Sequence, residues 1–240
     1  MNIIYGPVSS RRFGSSLGIS IVENKTCNFD CVYCELGRSP RVEYKYGDYE
    51  TPDKVIDALN LYVKNLKVNI DVLTVTGYGE PTLNRNIAEI ARKIKENYPR
   101  YPTLLLTNST HLDKKEVISS FKYFDRIIPS LDAVSEEVYQ KINRPIKEIT
   151  ARKIIENITL LRANFSGSLE LEILFCDGIN SSESEINLLK NVCSKIKPDK
   201  VWVNTVYRNP AYPEIKPISN KLLEKLNLFF NGEKNDTFKI

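Results

Sequence analysis

Three closely spaced cysteines are the residues in this sequence whose type and spacing point most directly to chemistry. Cys27, Cys31 and Cys34 lie within eight positions of one another, and the chain has only five cysteines and one histidine. In a reducing compartment, thiols at such spacing hold metal more often than they form disulfides. A chain with a single histidine cannot build a His-rich metal site.

Two kinds of metal site remain open from the spacing alone. A structural zinc ion needs four protein ligands, and the fourth would have to come from Cys176, Cys193 or His111. A [4Fe-4S] cluster on three cysteines instead leaves one iron without a protein ligand, so that an outside chelator can bind it. The spacing favours the open cluster over zinc.

The cysteines must be positioned by the elements around them, and short apolar runs alternate here with longer segments of helical period. This alternation is typical of repeated βα units around a parallel sheet. The predicted strands are 17–22, 72–76, 103–107, 126–130, 169–175 and 201–204. The predicted helices are 52–66, 86–98, 114–121, 135–142, 152–165, 183–196 and 220–230. Six strands fit a partial barrel, and an open doubly wound sheet fits them nearly as well.

Polar and glycine-rich segments follow most of the predicted strands. These segments are 77–82, 107–109, 130–132, 176–178 and 204–208, and the cysteine loop follows the first strand. In parallel α/β folds, ligands bind outside the carboxyl ends of the strands. The cysteines and these polar segments are therefore predicted to share one rim.

Composition limits the class of protein. The 240 residues are 42% hydrophobic and 27% charged with a net charge of +4, which excludes fibrous, disordered and disulfide-scaffold proteins. No signal peptide is recognised at the start, and no apolar stretch is long enough to span a membrane. We expect a cytoplasmic protein with no membrane partner. One domain over residues 1–240 is the simplest organisation.

The cysteine spacing and a second motif together resemble a known family. Cys-x3-Cys-x2-Cys, with Tyr33 before the last cysteine, and Gly79-Glu80-Pro81 after the second predicted strand resemble the signature of the radical S-adenosylmethionine (SAM) superfamily. The resemblance covers about residues 5–208. It implies an α/β fold, a partial (β/α)6 TIM-like barrel, with an N-terminal extension over 1–16, the barrel core over 17–208 and a C-terminal helix and tail over 209–240.

The resemblance also implies a cofactor set and a reaction. Cys27, Cys31 and Cys34 correspond to the ligands of a [4Fe-4S] cluster, and the amino and carboxylate groups of SAM would chelate the fourth iron. One electron from the cluster would cleave SAM to a 5′-deoxyadenosyl radical, which abstracts hydrogen from the substrate. The implied SAM contacts are Gly77, Gly79, Glu80 and Pro81 for the amino group, Thr107, Asn108, Ser130 and Asp132 for ribose and carboxylate, and Tyr33 near the adenine.

Five longer segments resemble a narrower group within the superfamily. Residues 5–19, 25–34, 130–133, 142–145 and 204–208 are similar to short enzymes of archaea and anaerobic bacteria, related to the wyosine-forming tRNA enzyme 4-demethylwyosine synthase. That synthase carries extra N-terminal cysteines for a second cluster, whereas no cysteine precedes Cys27 here. The tRNA reaction itself is therefore not assigned.

The substrate is the least determined part of the prediction. Guanidinium groups suit carboxylate and phosphate, so Arg11, Arg12, Arg144 and Arg208 are candidates for an anionic substrate, or else they form internal ion pairs. Cys176, at a strand end, is a substrate-proximal thiol or a small buried hydrophobe. The favoured substrate is RNA or a modified base, with a ferredoxin or flavodoxin as electron donor. The alternatives are a radical activase or peptide-modifying enzyme acting on a protein partner, and a non-catalytic zinc or iron-sulfur protein.

Overall fold

The computed structural model describes residues 2–10, 12–23, 25–39, 45–232, 238 and 239. One sheet holds its strands in chain order from β1 to β7. The strands are β1 Ile4–Ser10, β2 Gly14–Ser20, β3 Val72–Thr76, β4 Thr103–Thr107, β5 Arg126–Pro129, β6 Ser168–Phe175 and β7 Lys200–Thr205. The helices are α1 Pro52–Lys64, α2 Ile87–Asn97, α3 Lys115–Ser120, α4 Glu136–Ile142, α5 Ala151–Asn164, α6 Glu183–Ile196 and α7 Asn220–Asn231.

The six predicted strands correspond to β2 through β7, and all neighbours from β2 onward pair in parallel. Helices connect successive parallel strands, and the sheet curls into a half-barrel. The partial-barrel prediction is confirmed, and the open doubly wound alternative is wrong. Buried aliphatic residues of alternate strand positions, such as Leu73, Leu105 and Ile127, form one continuous core with the helices.

Strand β1 was not predicted, and β2 begins three residues earlier than expected. The two form an antiparallel hairpin, with Ser10 paired to Gly14 next to the turn. Gly6 and Pro7 interrupt the apolar pattern of β1. Proline cannot donate to a neighbouring strand, so it is confined to edge strands such as this one.

The hairpin turn reaches across to the far side of the sheet. Arg12 Nη1 lies 2.7 Å from Glu172 Oε1 on β6, and the same oxygen accepts a hydrogen bond from Asn204 on β7 at 2.5 Å. Phe13 packs edge-on against Trp202, with ring centroids 5.8 Å apart. The hairpin therefore links the first and last parts of the half-barrel. None of the helices in the described part of the chain has the length and apolarity to cross a membrane.

Candidate functional site

The three cysteines lie on a loop that leaves the carboxyl end of β2 and is held by a second segment of the chain. The strap, defined as residues 142–146 at the end of α4, pairs with this loop through backbone hydrogen bonds. Val32 N–H donates to the Ile142 carbonyl at 2.9 Å, Asp30 N–H to Asn143 at 3.2 Å, and Ile146 N–H to Asn28 at 3.1 Å. The strap fixes the backbone on both sides of Cys31.

The thiols of the loop lie close enough to influence one another electrostatically. Burial raises the pKa of Cys27 to about 12, and the Glu80 carboxylate adds to the rise. Burial, followed by the charge of Cys27, raises the pKa of Cys31 well above its ordinary value. Burial therefore favours the neutral thiols, and a bound metal group would favour the thiolate form that acts as a ligand.

Two side-chain amides approach two of the sulfurs. Asn108 Nδ2 is 3.7 Å from Cys27 Sγ, and Asn143 Nδ2 is 3.5 Å from Cys31 Sγ. Three further polar atoms of this region, Asn28 Nδ2, Tyr139 Oη and Lys25 Nζ, are enclosed without a hydrogen-bond partner among the described residues. Unpartnered buried donors are costly unless a ligand supplies the acceptor.

The glycine-rich turn after β3 packs directly on the cysteine loop. A Cβ on Gly79 would come within 2.0 Å of the Thr26 carbonyl oxygen, and Glu80 N–H donates to that oxygen at 2.9 Å. Gly77 has a φ of +123° and leaves no room for a side chain beside Ser20. Both glycines are required for this close approach, which also presents backbone groups at the rim.

Glu80 is buried, and its carboxylate ties the turn to the end of β4. Oε1 accepts from the hydroxyls of Thr107 at 2.6 Å and Thr82 at 2.5 Å, and Oε2 accepts from Asn108 N–H at 2.6 Å. Burial raises the pKa of Glu80, and these hydrogen bonds oppose the rise. Pro81 opens the short 3-10 turn that follows. In this structure the Glu80 side chain serves mainly to join β3 and β4.

Asp132 is the hub of a second network, near the end of β5. Oδ2 accepts from the Tyr33 hydroxyl at 2.5 Å and from Asn143 Nδ2 at 2.7 Å, and Oδ1 accepts from Leu174 N–H at 2.9 Å. Burial raises the pKa of Asp132 to about 6. A cavity of about 30 Å³ borders this network, and Ser130, Cys31 and Tyr139 are among its lining residues.

The predicted substrate residues are dispersed over the molecule. Arg12 pairs with Glu172 inside the half-barrel, and Arg208 forms an exposed ion pair with Glu35. Arg144 lies beside the cysteine loop. Its Nε is 3.4 Å from Asp30 Oδ2, and its Cζ is 4.9 Å from the centre of the Tyr212 ring. Cys176 is fully buried in the core, and Cys193 is buried with 5% of its surface exposed. Arg11 lies outside the described residues.

Comparison with known proteins identifies the family. Residues 24–186 match the Radical SAM superfamily. The chain belongs to the radical SAM superfamily. The match begins just before the cysteine loop and runs through β6 into α6, so it includes the loop, the glycine-rich turn and the strap. The chain is accordingly an enzyme of this superfamily.

The chain covers different shares of the proteins whose sequences resemble it. The chain is 34% identical over 229 residues to the protein named GTPase Obg of Brachyspira hyodysenteriae, covering 95% of this chain but 33% of that protein. It is 33% identical over 231 residues to a UPF0026 protein of Helicobacter pylori, covering 96% and 74% respectively. It is 26% identical over 206 residues to the GTP 3′,8-cyclase of Limosilactobacillus fermentum, covering 86% and 55%.

Several solved structures share the fold. Streptococcus suis SuiB bound to the precursor peptide SuiA has a TM-score of 0.65 at 18% identity, over 88% of this chain and 45% of that one. TYW1 with a lysine-pyruvate adduct bound has a TM-score of 0.65 at 13% identity, over 91% and 73%. The TM-scores show that the half-barrel fold is shared, and likeness at these low identities shows the fold alone.

Superfamily membership implies a [4Fe-4S] cluster and SAM, and the residues at the rim fit both. Three thiols share one loop, amide donors face two sulfurs, and enclosed donors lack an acceptor. Within the described ranges, no three His, Cys, Asp or Glu side chains surround a point that could hold one metal ion.

Sequence reasoning missed several residues of this site, namely Lys25, Asn28, Tyr139 and Asn143. Asn28 and Asn143 stand in segments that resemble relatives, but their side chains gave no sign of where they point. Asn143 meets Cys31 across 112 positions of sequence. The strap brings the two together through its backbone pairing with the cysteine loop.

Proposed function

We propose that the chain binds a [4Fe-4S] cluster through Cys27, Cys31 and Cys34 and uses it to cleave SAM reductively. When bound, the cluster delivers one electron to SAM and so generates a 5′-deoxyadenosyl radical that abstracts hydrogen from a substrate. The observation that carries the proposal is the cysteine loop itself, with its thiols backed by amide donors and adjoining the glycine-rich turn.

The chain's own residues hold and enclose the two cofactors. The strap and the Thr26–Glu80 hydrogen bond fix the cysteine loop, and Glu80 aligns the end of β4 with the turn. Backbone groups at Gly77 and Gly79 would receive the amino group of SAM, because glycine lets the backbone approach a ligand closely. Ser130, Thr107 and Pro81 border the same rim and would complete the surroundings of SAM, with Asp132 holding Tyr33 in place.

RNA or a modified base is the substrate class that we propose. The guanidinium carbons of Arg38 and Arg144 lie 4.3 and 4.9 Å from the centre of the Tyr212 ring. All three side chains lie next to the cysteine loop. Tyr212 is half-buried, and guanidinium groups beside an aromatic ring suit phosphate and stacked bases. A ferredoxin or flavodoxin would supply the electron. Peptide modification is the second outcome that the substrate experiment must separate.

The first test is cofactor content and cleavage. Protein reconstituted anaerobically with iron and sulfide should hold about four irons per chain. With dithionite it should convert SAM to 5′-deoxyadenosine and methionine. Cys31→Ala should lose both properties, because two thiolates hold such a cluster poorly. Cys193→Ala is the matched control, since it removes a buried thiol remote from the loop, and it should retain both.

Stoichiometric zinc without SAM cleavage would contradict the enzyme proposal, and cleavage by Cys31→Ala would contradict the ligand assignment. The substrate is then identified by deuterium transfer. Deuterated tRNA should pass deuterium into 5′-deoxyadenosine, whereas transfer from deuterated cellular peptide but not from RNA would move the assignment to peptide modification.

A further inference from the structure

The side-chain amide of Asn143 is oriented unambiguously toward Cys31. Its Nδ2 lies 2.7 Å from Asp132 Oδ2 and 3.5 Å from Cys31 Sγ. An ionised carboxylate only accepts hydrogen bonds, so the nitrogen and not the oxygen of the amide must face Asp132. One N–H goes to the carboxylate, and the second N–H of the same nitrogen is left for the sulfur.

Both the backbone and the side chain of Asn143 are held by hydrogen bonds. Its carbonyl accepts from Asp30 N–H at 3.2 Å, which joins its backbone to the cysteine loop. Asp132, which fixes its side chain, is itself fixed by Tyr33 and by Leu174 N–H. Only 3% of Asn143 is exposed, so water does not compete for the amide. Such outer-shell partners orient metal ligands and tune the metal they hold.

A second, independent observation points to electron-rich acceptors at this place. Asn28 is 0% exposed and Tyr139 is 2% exposed, yet Asn28 Nδ2 and Tyr139 Oη find no acceptor in the described structure. Tyr139 and Cys31 both line the small cavity beside Asp132, so the phenol lies near that sulfur. The loop is therefore surrounded by donors in excess of the protein's own acceptors.

We propose that Asn143, locked by Asp132, raises the reduction potential of the cluster bound to Cys31. The inference rests on the proposed function, since it requires the cluster on this loop. Reduction adds one electron to the cluster and makes its sulfurs more negative. An N–H donor at a ligating sulfur stabilises the reduced form more than the oxidised form. Asn143 thus acts through Cys31 as a positioning residue.

The experiment is a redox titration of the reconstituted protein without SAM. Dithionite supplies the electron that converts [4Fe-4S]2+ to [4Fe-4S]1+, with mediators setting the potential and electron paramagnetic resonance counting the reduced form. Asn143→Leu and Asn143→Ala both remove the donor, the first at similar volume and the second with less bulk. At a fixed potential, each should show a reduced-to-oxidised ratio about threefold lower than wild type, which is a shift of about 28 mV at 59 mV per tenfold.

Asn84→Leu is the matched control. Asn84 is also a buried amide, but it donates to the carbonyls of Ile21 and Glu50, so its loss should lower stability and leave the potential unchanged. An unchanged potential in both Asn143 variants overturns the inference, even if they are less stable. Loss of iron from both would assign Asn143 to cluster assembly and overturn the tuning role as well. A wild-type protein that takes up no iron would instead overturn the proposed function.

Discussion

At Gly79, two loops of the site touch backbone to backbone. A Cβ there would lie 2.0 Å from the Thr26 oxygen, and that oxygen is backbone, so it cannot swing aside. The glycine is therefore needed for packing, independently of any SAM contact. The cysteine loop depends on it, because Thr26 directly precedes Cys27.

Gly79→Ala should push the cysteine loop away from the turn after β3. We expect a loss of stability of about 1–3 kcal/mol, the usual cost of overpacking, and poor iron retention because Cys27 moves with Thr26. Chemical denaturation and iron analysis after reconstitution measure the two effects. Gly47→Ala is the control, since a Cβ at Gly47 meets nothing within 4 Å, and it should change stability by less than about 0.5 kcal/mol. Equal behaviour of the two variants would contradict the close-contact argument.

At the scale of elements, local signals predicted the repeated units and missed the contacts between distant ones. Helix α6 was predicted with its observed bounds, because Ser182 caps its first turn and apolar residues recur at helical spacing. Strands β3 and β4 were also predicted with their observed bounds. The cysteine loop and glycine-rich turn were recognisable as motifs. The strap was not, since its pairing partner lies far away in sequence, and β1 was not, since Gly6 and Pro7 interrupt its apolar pattern.

The link between the β1–β2 hairpin and β6 is a testable consequence of this long-range pairing. The side chains of Arg12 and Glu172 are 22% and 19% exposed, so their ion pair is partly shielded from water. A double-mutant cycle with Arg12→Ala and Glu172→Gln should give a coupling energy of about 1 kcal/mol in denaturant unfolding. Among the described residues, removal of Arg12 leaves Asn204 as the hydrogen-bond partner of the carboxylate, and an amide is a weaker partner than a guanidinium.

The exposed pair Arg208 and Glu35 serves as the comparison for that cycle. Their side chains are 62% and 54% exposed, and such surface pairs contribute little. We expect a coupling below about 0.5 kcal/mol for Arg208→Ala with Glu35→Gln. If the two cycles gave the same coupling, the hairpin would not be anchored by Arg12 in the manner that the structure indicates.

At the scale of the whole molecule, one continuous core runs from Ile4 in β1 to Phe238 near the end of the chain. A shared core of this kind favours cooperative unfolding, and we expect the metal-free protein to unfold with a single free energy of unfolding. The pH dependence of that free energy can then be assigned to particular groups. Two buried groups act in opposite directions over the mildly acidic range.

His111, the single histidine, should make the protein less stable as the pH falls. It is 1% exposed, and burial, with a smaller effect from Lys114, lowers its pKa to about 4, while Asp113 opposes the shift. The unfolded chain, with a histidine pKa of about 6.5, binds a proton more readily between pH 6.5 and 4. Stability from this group is therefore present above pH 6.5 and is lost progressively down to pH 4, by up to about 3 kcal/mol.

Asp132 works against this trend in the metal-free protein, and a variant separates the two. Burial raises its pKa to about 6, so the folded state binds that proton more readily, and stability from Asp132 increases as the pH falls from about 6 toward 4. His111→Gln removes only the histidine titration. The wild-type minus His111→Gln difference in unfolding free energy should therefore rise with pH between 4 and 6.5, with Asp132 cancelling from it. A flat difference across that interval would mean that His111 is protonated in the fold, in conflict with its burial beside Lys114.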